Sequence, residues 1–152
     1  MHDIHDSLGY LLNTAARLIK WECNNKLKEY DITTAQWAVM KDIYTQKQNK
    51  EKAECFMQLS IAQRLYSDRT TISQIIDKLE ERKLLIRKKN PTDRRSHIVC
   101  ITESGEALIN RIETVAEKAI SAATKDLPKD EYDLMVNGLK MIIHNLSENK
   151  SS

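Results

Sequence analysis

The sequence predicts a mainly α-helical chain with a single β-hairpin. Three observations carry this. Three Gly and two Pro among 152 residues, with 30% charged residues and one Phe, suit a chain built mostly of solvated helices. Apolar residues recur at helical spacings through most of the length. Once, at Ile98-Val99-Cys100-Ile101, the pattern turns to strand, just after the turn signal Asn90-Pro91-Thr92-Asp93.

Leu8, Leu11, Leu12, Ala15, Leu18, Ile19 and Cys23 form one stripe with Trp21 to one side, which predicts a first helix over about residues 5–29. Asp31-Ile32-Thr33 ends it. Thr33 and Gln36 then form a capping box for a second helix through Trp37, Val39, Met40 and Ile43. The polar, charged stretch from Thr45 to Glu54 reads as a loop. Cys55 to Leu65 reads as a short helix holding Leu59, Ile61, Ala62 and Leu65, although Met57 stands where a Ser or Thr cap would serve. Tyr66-Ser67 is a turn, and Asp68 caps the next helix with Thr71 at its third position.

That next helix has Ile72, Ile75, Ile76 and Leu79 on one face and Arg69, Thr70, Thr71, Ser73, Gln74 and Lys78 on the other. Leu84, Leu85 and Ile86 lead into the basic run Arg87-Lys88-Lys89, the turn, and the second strand. Beyond Thr102, Leu108, Ile109, Ile112, Val115, Ala116, Ala119, Ile120 and Ala123 form a long stripe. After Asp126-Leu127-Pro128 another runs through Tyr132, Leu134, Met135, Leu139, Ile142, Ile143 and Leu146. Ser147 to Ser152 reads as a disordered tail. The terminal helices carry more apolar surface than a small domain covers, so they pack on each other or on a second copy.

A helix with a donor-rich outer face followed by a hairpin with an Asp93-Arg94-Arg95 tip suits double-stranded DNA. Hydroxyl, amide and guanidinium groups distinguish base edges in the major groove, and hairpin arginines fit the narrow minor groove. Charge agrees with this. Residues 60–97 hold ten Lys or Arg against five acids, a segment of +5 in a chain of +2, which leaves −3 elsewhere. At the tip, Asp93 is expected to accept from the Arg95 guanidinium and hold it outward.

The stretch DRTTISQIIDKLEERKLLIRKKNPTDRRSHIVCIT, residues 68–102, resembles the recognition helix and wing of the MarR (multiple antibiotic resistance regulator) family. The resemblance runs from about Leu8 to Leu146 and is most specific at Asp93-Arg94-Arg95, then Ile101-Thr102 and Gly105. Lys83 stands where the family usually has glycine, Ile101 replaces a leucine, and the connection from Trp37 to Ile61 is longer than usual. The resemblance implies one domain over 1–152, a winged helix-turn-helix with a two-stranded wing whose DNA-binding lobe spans about 33–102. Long helices at about 5–29 and 103–146 would form an intertwined dimerisation bundle. DNA contact would fall to Arg69, Thr70, Thr71, Ser73, Gln74, Lys78, Arg87, Lys88, Lys89, Asp93, Arg94 and Arg95. The implied partners are a pseudo-palindromic operator and a second copy of the chain.

Other classes find little support. The glycines are isolated at 9, 105 and 138, no catalytic motif is present, and adjacent acids such as Glu80-Glu81 diverge on a helix, so no enzyme is expected. Cys23, Cys55 and Cys100 share no close spacing and read as reduced thiols rather than a disulfide framework or zinc site. His2 and His5 with Asp3 and Asp6 sit at a terminus expected to fray, so no metal and no cofactor is expected. No apolar run approaches the roughly 20 residues of a membrane span, and His2, Asp3, His5 and Asp6 occupy the place of a signal peptide. The reading is cytoplasmic.

Members of the resembled family respond to small aromatic acids and phenols or to cysteine oxidation. A repressor released by a small aromatic or phenolic ligand is the reading favoured here. Its pocket would draw on Tyr10, Arg17, Trp21, Trp37 and Met40, the arginine meeting a carboxylate and the rings stacking. The alternatives are a thiol-redox-responsive regulator, or a winged-helix protein adapter without operator binding. Peroxide sensors of the family carry their cysteine near the start of the first helix, where this chain has Gly9. Cys23, mid-stripe, reads as a buried small hydrophobe. Cys55, beside a charged loop, is expected to be the accessible thiol, with Lys50 and Lys52 lowering its pKa.

Overall fold

The computed structural model describes residues 3–49 and 55–149. These fall into two compact units, one within residues 1–119 and the other within 120–152. The first contains α1 (Leu8–Leu27), α2 (Thr34–Asn49), β1 (Cys55–Met57), α3 (Gln58–Arg64), α4 (Arg69–Glu81), β2 (Leu85–Lys89), β3 (His97–Ile101) and most of α5 (Glu103–Ala123). The second contains the end of α5 and α6 (Lys129–Glu148).

Local chemistry sets most boundaries. Ser7 caps α1, and the Thr33–Gln36 box forms as read: Thr33 N–H donates to Gln36 Oε1 at 3.0 Å and Gln36 N–H to Thr33 Oγ1 at 3.1 Å. Asp68 caps α4, accepting from Thr71 N–H and from the Thr71 hydroxyl, both at 2.7 Å. These bonds, the backbone one first, hold the Asp68 carboxyl below its ordinary pKa. The three non-glycine residues with positive φ among the described residues, Asp31, Tyr66 and Lys83, each end a helix. At Lys83 (φ 58°), Lys83 N–H donates to Glu80 O and Leu84 N–H to Leu79 O, which closes a Schellman motif.

Four boundaries differ from the sequence reading. The first helix is shorter, with 3₁₀ turns at Ile4–Asp6 and Lys28–Tyr30 flanking it. Thr45 to Asn49 continues α2 rather than starting a loop, because Lys41 and Lys47 on its polar face pair with Glu113 and Glu106 of α5. Residues 50–54 of the expected loop lie outside the described residues. Cys55–Met57 is a strand, not helix, since Phe56 is buried and the segment pairs antiparallel with β3. Ser147 and Glu148 end α6 instead of opening a tail, and residues 150–152 lie outside the described residues.

The sheet order is β1-β3-β2, with Phe56 opposite Val99 and Arg87 opposite Val99 on the other side. Met40, Ile43, Ile61, Ile72, Ile76, Leu79, Leu85, Ile109 and Ile112 are fully buried beneath it. At roughly 1.5–3 kcal/mol for each fully buried aliphatic side chain, this core holds α4 and the hairpin on one base. The unit formed by α6 is different: none of its helical residues is buried, and Leu134, Met141 and Leu146 are among its exposed apolar side chains.

The cysteine reading is corrected here. Cys55 and Cys100 face each other across β1 and β3 and form a disulfide, while Cys23 is free and buried. Spacing could not reveal this pair, because the strand that brings Cys55 to Cys100 was read as helix.

Candidate nucleic-acid interface

Helices α3 and α4, joined through the left-handed Tyr66, form a helix-turn-helix, and β2 and β3 form a wing beside it. The buried stripe of Ile72, Ile76 and Leu79 turns the opposite face of α4 outward. Arg69, Thr70, Thr71, Gln74 and Lys78 are exposed there, and Ser73 is half-buried. Between α4 and the wing runs a groove of about 680 Å³, lined by Arg69, Ser73, Asp77, Arg87, Arg95 and His97 among others.

Not every cation assigned to this face is free. Arg87 reaches from β2 to α4, where its guanidinium donates to Ser73 O at 3.0 Å and Ser73 Oγ at 3.2 Å. It also pairs with Asp77 and, at 3.4 Å, with Glu80, and its own N–H donates to Glu80 Oε2 at 2.9 Å. Only 17% of its side chain is exposed. The structure therefore gives Arg87 five tethers to the recognition helix. Thr71 is similarly engaged, since its hydroxyl donates to Asp68. Arg69, Lys78, Lys88, Lys89, Arg94 and Arg95 are exposed, and no protein partner holds the guanidinium of Arg94 or Arg95 among the described residues.

The wing tip is built differently from the expectation. Asp93 does not hold the Arg95 guanidinium; its Oδ1 accepts the Arg95 backbone N–H at 3.0 Å. A residue two positions on presents its N–H to an aspartate before its own side chain can fold back, which is the geometry of an Asx turn. Asn90, buried at the wing's neck, completes the tip: its Nδ2 donates to Ser96 Oγ at 3.0 Å and its Oδ1 accepts from Thr92 N–H and hydroxyl. The wing arginines thus project from a turn fixed by Asp93 and Asn90 through the backbone.

Sequence reasoning missed two clamps. Arg82, past the end of α4, donates to the Tyr30 and Asp31 carbonyl oxygens, and Arg64 of α3 makes a fork onto Asp42 of α2 with bonds of 2.7–3.1 Å. Both join residues more than twenty positions apart, so periodicity carried no trace of them.

The five proposed ligand residues are scattered. Met40 is fully buried in the core, Trp37 is partly buried against it, and Tyr10, Arg17 and Trp21 are exposed along α1. The two larger described grooves are lined by other residues. Trp37 Nε1 is a buried donor with no acceptor among the described residues. A buried N–H without a partner costs about 1–3 kcal/mol.

Helix-turn-helix, wing and exposed cationic tip together define a winged-helix DNA-binding regulator. A family model described as MarR family matches residues 32–97, which span that lobe. The HTH-type transcriptional regulator MhqR of Bacillus subtilis is 29% identical over 135 residues, covering 89% of this chain and 88% of that protein. A mutant MarR from E. coli complexed with operator DNA superposes with a TM-score of 0.80 at 25% identity, covering 93% of this chain and 99% of that one. BpsR of Bordetella bronchiseptica, whose DNA binding is regulated by 6-hydroxynicotinic acid, gives 0.83 at 22% identity, covering 93% and 96%. Residues 32–97 thus match the MarR family model, and nearly the whole chain is similar to DNA-binding transcription regulators of that family.

Proposed function

We propose that the protein acts as a homodimeric repressor of a pseudo-palindromic operator in the cytoplasm. Each copy lays α4 in a major groove and its wing tip in the adjacent minor groove. The observation that carries this is the exposed, unpaired state of Arg94 and Arg95 beside a recognition helix whose outer face stays in solvent. Arg69, Thr70, Ser73, Gln74 and Lys78 read the helix side, and Lys88 and Lys89 meet phosphates. Leu134, Met141 and Leu146 on a helix that buries nothing, with Leu8, Leu18 and Trp21 exposed on α1, support pairing with a second copy.

Release by a small aromatic ligand follows from the same pairing. Tyr10, Arg17 and Trp21 are exposed along α1, so a pocket there would be closed by the partner's surface, and an acceptor in it would satisfy Trp37 Nε1. The regulation of BpsR by 6-hydroxynicotinic acid supports an aromatic acid as the class.

The test is anisotropy binding of the purified full chain to genomic fragments, beginning with its own upstream region. One fragment bound at least about a thousandfold more tightly than random DNA is expected of a specific regulator. Uniform weak binding to every fragment refutes operator recognition.

A further inference from the structure

Three side-chain hydroxyls stand on α4, at Thr70, Thr71 and Ser73, and their surroundings differ. Thr71 gives its proton to Asp68 Oδ2 at 2.7 Å, so that hydroxyl is spent on the helix cap. Thr70 is exposed, and its hydroxyl has no partner among the described residues, so it turns freely between donating and accepting. Ser73 is half-buried, lines the groove between α4 and the wing, and its oxygen accepts from Arg87 Nη2 at 3.2 Å. The proton of that hydroxyl has no acceptor among the described residues.

Arg87 is not free to release this oxygen. Its Nη2 also donates to Ser73 O at 3.0 Å, its Nη1 pairs with Asp77 and Glu80, and its backbone N–H donates to Glu80 Oε2 at 2.9 Å. The guanidinium is thus held on one side of Ser73. A serine hydroxyl carries one proton and two lone pairs. With a cation's N–H on one lone pair, the O–H dipole aligns so that its proton points away from the guanidinium, and a second donor approaching the oxygen is repelled by the first. Ser73 is therefore set as a donor into the groove.

We propose that Arg87 makes Ser73 a one-way reader, which donates to the keto oxygen of a guanine or thymine and rejects an amino-bearing base at the same place in each half-site. The inference rests on the operator-binding reading above. In the major groove guanine and thymine present O6 and O4 as acceptors, whereas cytosine presents its N4 amino group and adenine sets its N6 amino group beside N7. An amino donor would meet an oxygen already occupied by a donor. Arg87 is a positioning residue in this arrangement. Asp77 and Glu80 offset its charge, so the preference comes from the direction of one proton rather than from attraction of the guanidinium for DNA.

The experiment takes the best-bound genomic fragment, randomises each position of its half-site in turn, and measures binding by the full-length protein. At one position per half-site, wild type should favour guanine or thymine over cytosine or adenine on one strand by roughly fivefold to tenfold, the scale of one hydrogen bond set against one donor left unpaired. Ser73→Ala should erase that preference and leave the other positions unchanged, while Ser73→Thr, which keeps the hydroxyl, should retain it. Arg87→Ala and Arg87→Lys should lower it to within about twofold although neither removes the hydroxyl. A purely structural loss would instead weaken all sequences alike. Arg87→Lys carries that arm if Arg87→Ala does not fold.

Selection names a base pair, and base analogues name the atom. Exchanging the selected guanine for 2-aminopurine, which lacks O6, or the selected thymine for 5-methylcytosine, which carries an amino group in place of O4, should cost wild type the same factor and Ser73→Ala nothing. The proposal is overturned if loss of the keto oxygen leaves wild-type affinity unchanged, if Ser73→Ala weakens every sequence equally as a phosphate contact would, or if both Arg87 variants keep the wild-type preference. Selective binding that Ser73→Ala does not alter defeats this inference alone. No selective binding by wild type defeats the operator reading and this inference with it.

Discussion

Replacing Arg87 separates a cation that touches DNA from one that holds the reader in shape. Its guanidinium makes two bonds to Ser73 and pairs with Asp77 and Glu80. Hydrogen bonds to a charged group contribute about 1.5–3 kcal/mol when buried. The Asp77 and Glu80 side chains are 55% and 40% exposed, so their ion pairs are largely screened and recover solvation when Arg87 is removed. What remains is the Ser73 carbonyl and hydroxyl, and a net loss of about 1–2 kcal/mol of stability is expected for Arg87→Ala.

Operator affinity should fall too, by about tenfold, because the hairpin is no longer pinned to α4 and Ser73 loses the donor that fixes its hydroxyl. The salt dependence is what discriminates. A phosphate contact contributes about 0.9 to the slope of log K against log salt, so Arg94→Ala and Arg95→Ala should each flatten it by about that amount. Arg87→Ala should leave the slope unchanged. Arg87→Lys should not rescue, since an ammonium cannot span Ser73 and both carboxylates at once. The assay is a salt titration of affinity for wild type and the four variants, beside urea melts. A slope reduced by a full contact in Arg87→Ala, with stability intact, would show that Arg87 leaves α4 for the backbone of DNA.

Three further outcomes follow from local geometry. Lys83→Gly should stabilise the protein by about 0.5–1 kcal/mol while Lys83→Ala stays near neutral, because φ of 58° strains any residue with a β-carbon; equal urea midpoints for the two variants would contradict this. Gly105→Ala should abolish or severely reduce folded protein in circular dichroism and gel filtration, because the added carbon would collide with the Leu84 carbonyl oxygen and lie 2.7 Å from Ile101 Cγ1. Asp93→Ala should weaken operator binding although it removes a negative charge, and Asp93→Asn, which keeps an acceptor for Arg95 N–H, should retain most of it; tighter binding by Asp93→Ala would mean the tip turn does not depend on that bond.

What could be read beforehand was whatever local chemistry dictates. The Thr33–Gln36 box, the Asp68 cap and the α4 stripe are each decided within seven residues, and each stands where the pattern put it. The failures were tertiary. Thr45 to Asn49 has no apolar face to announce a helix and is held by cations that reach α5 some sixty residues away. Cys55 to Met57 looked helical because it adjoins a helix, and only β3 makes it a strand. Arg87 had the composition of a DNA contact but a position opposite Ser73, Asp77 and Glu80 that no spacing rule encodes. Lys83 is the instructive intermediate case. Its departure from glycine was visible in sequence, while the positive φ that makes the departure costly was not.

The joint between reader and scaffold is one hydroxyl. Thr102 Oγ1 donates to Lys83 O at 2.7 Å and accepts from Gly105 N–H at 3.1 Å, while Thr102 N–H donates to Leu84 O at 3.1 Å. The end of α4, the base of β2 and the first turn of α5 therefore meet within a few ångströms, with no side chain on Gly105 to hold them apart. Cys100 sits two residues before this joint, and Arg87 two residues into the strand that leaves it. A packed joint of this kind transmits displacement rather than absorbing it, since closely packed interiors are poorly compressible. A rotation of the first turn of α5 must then move the wing base with it. The end of the recognition helix and the base of the wing are thereby tied to the turn from which α5 begins.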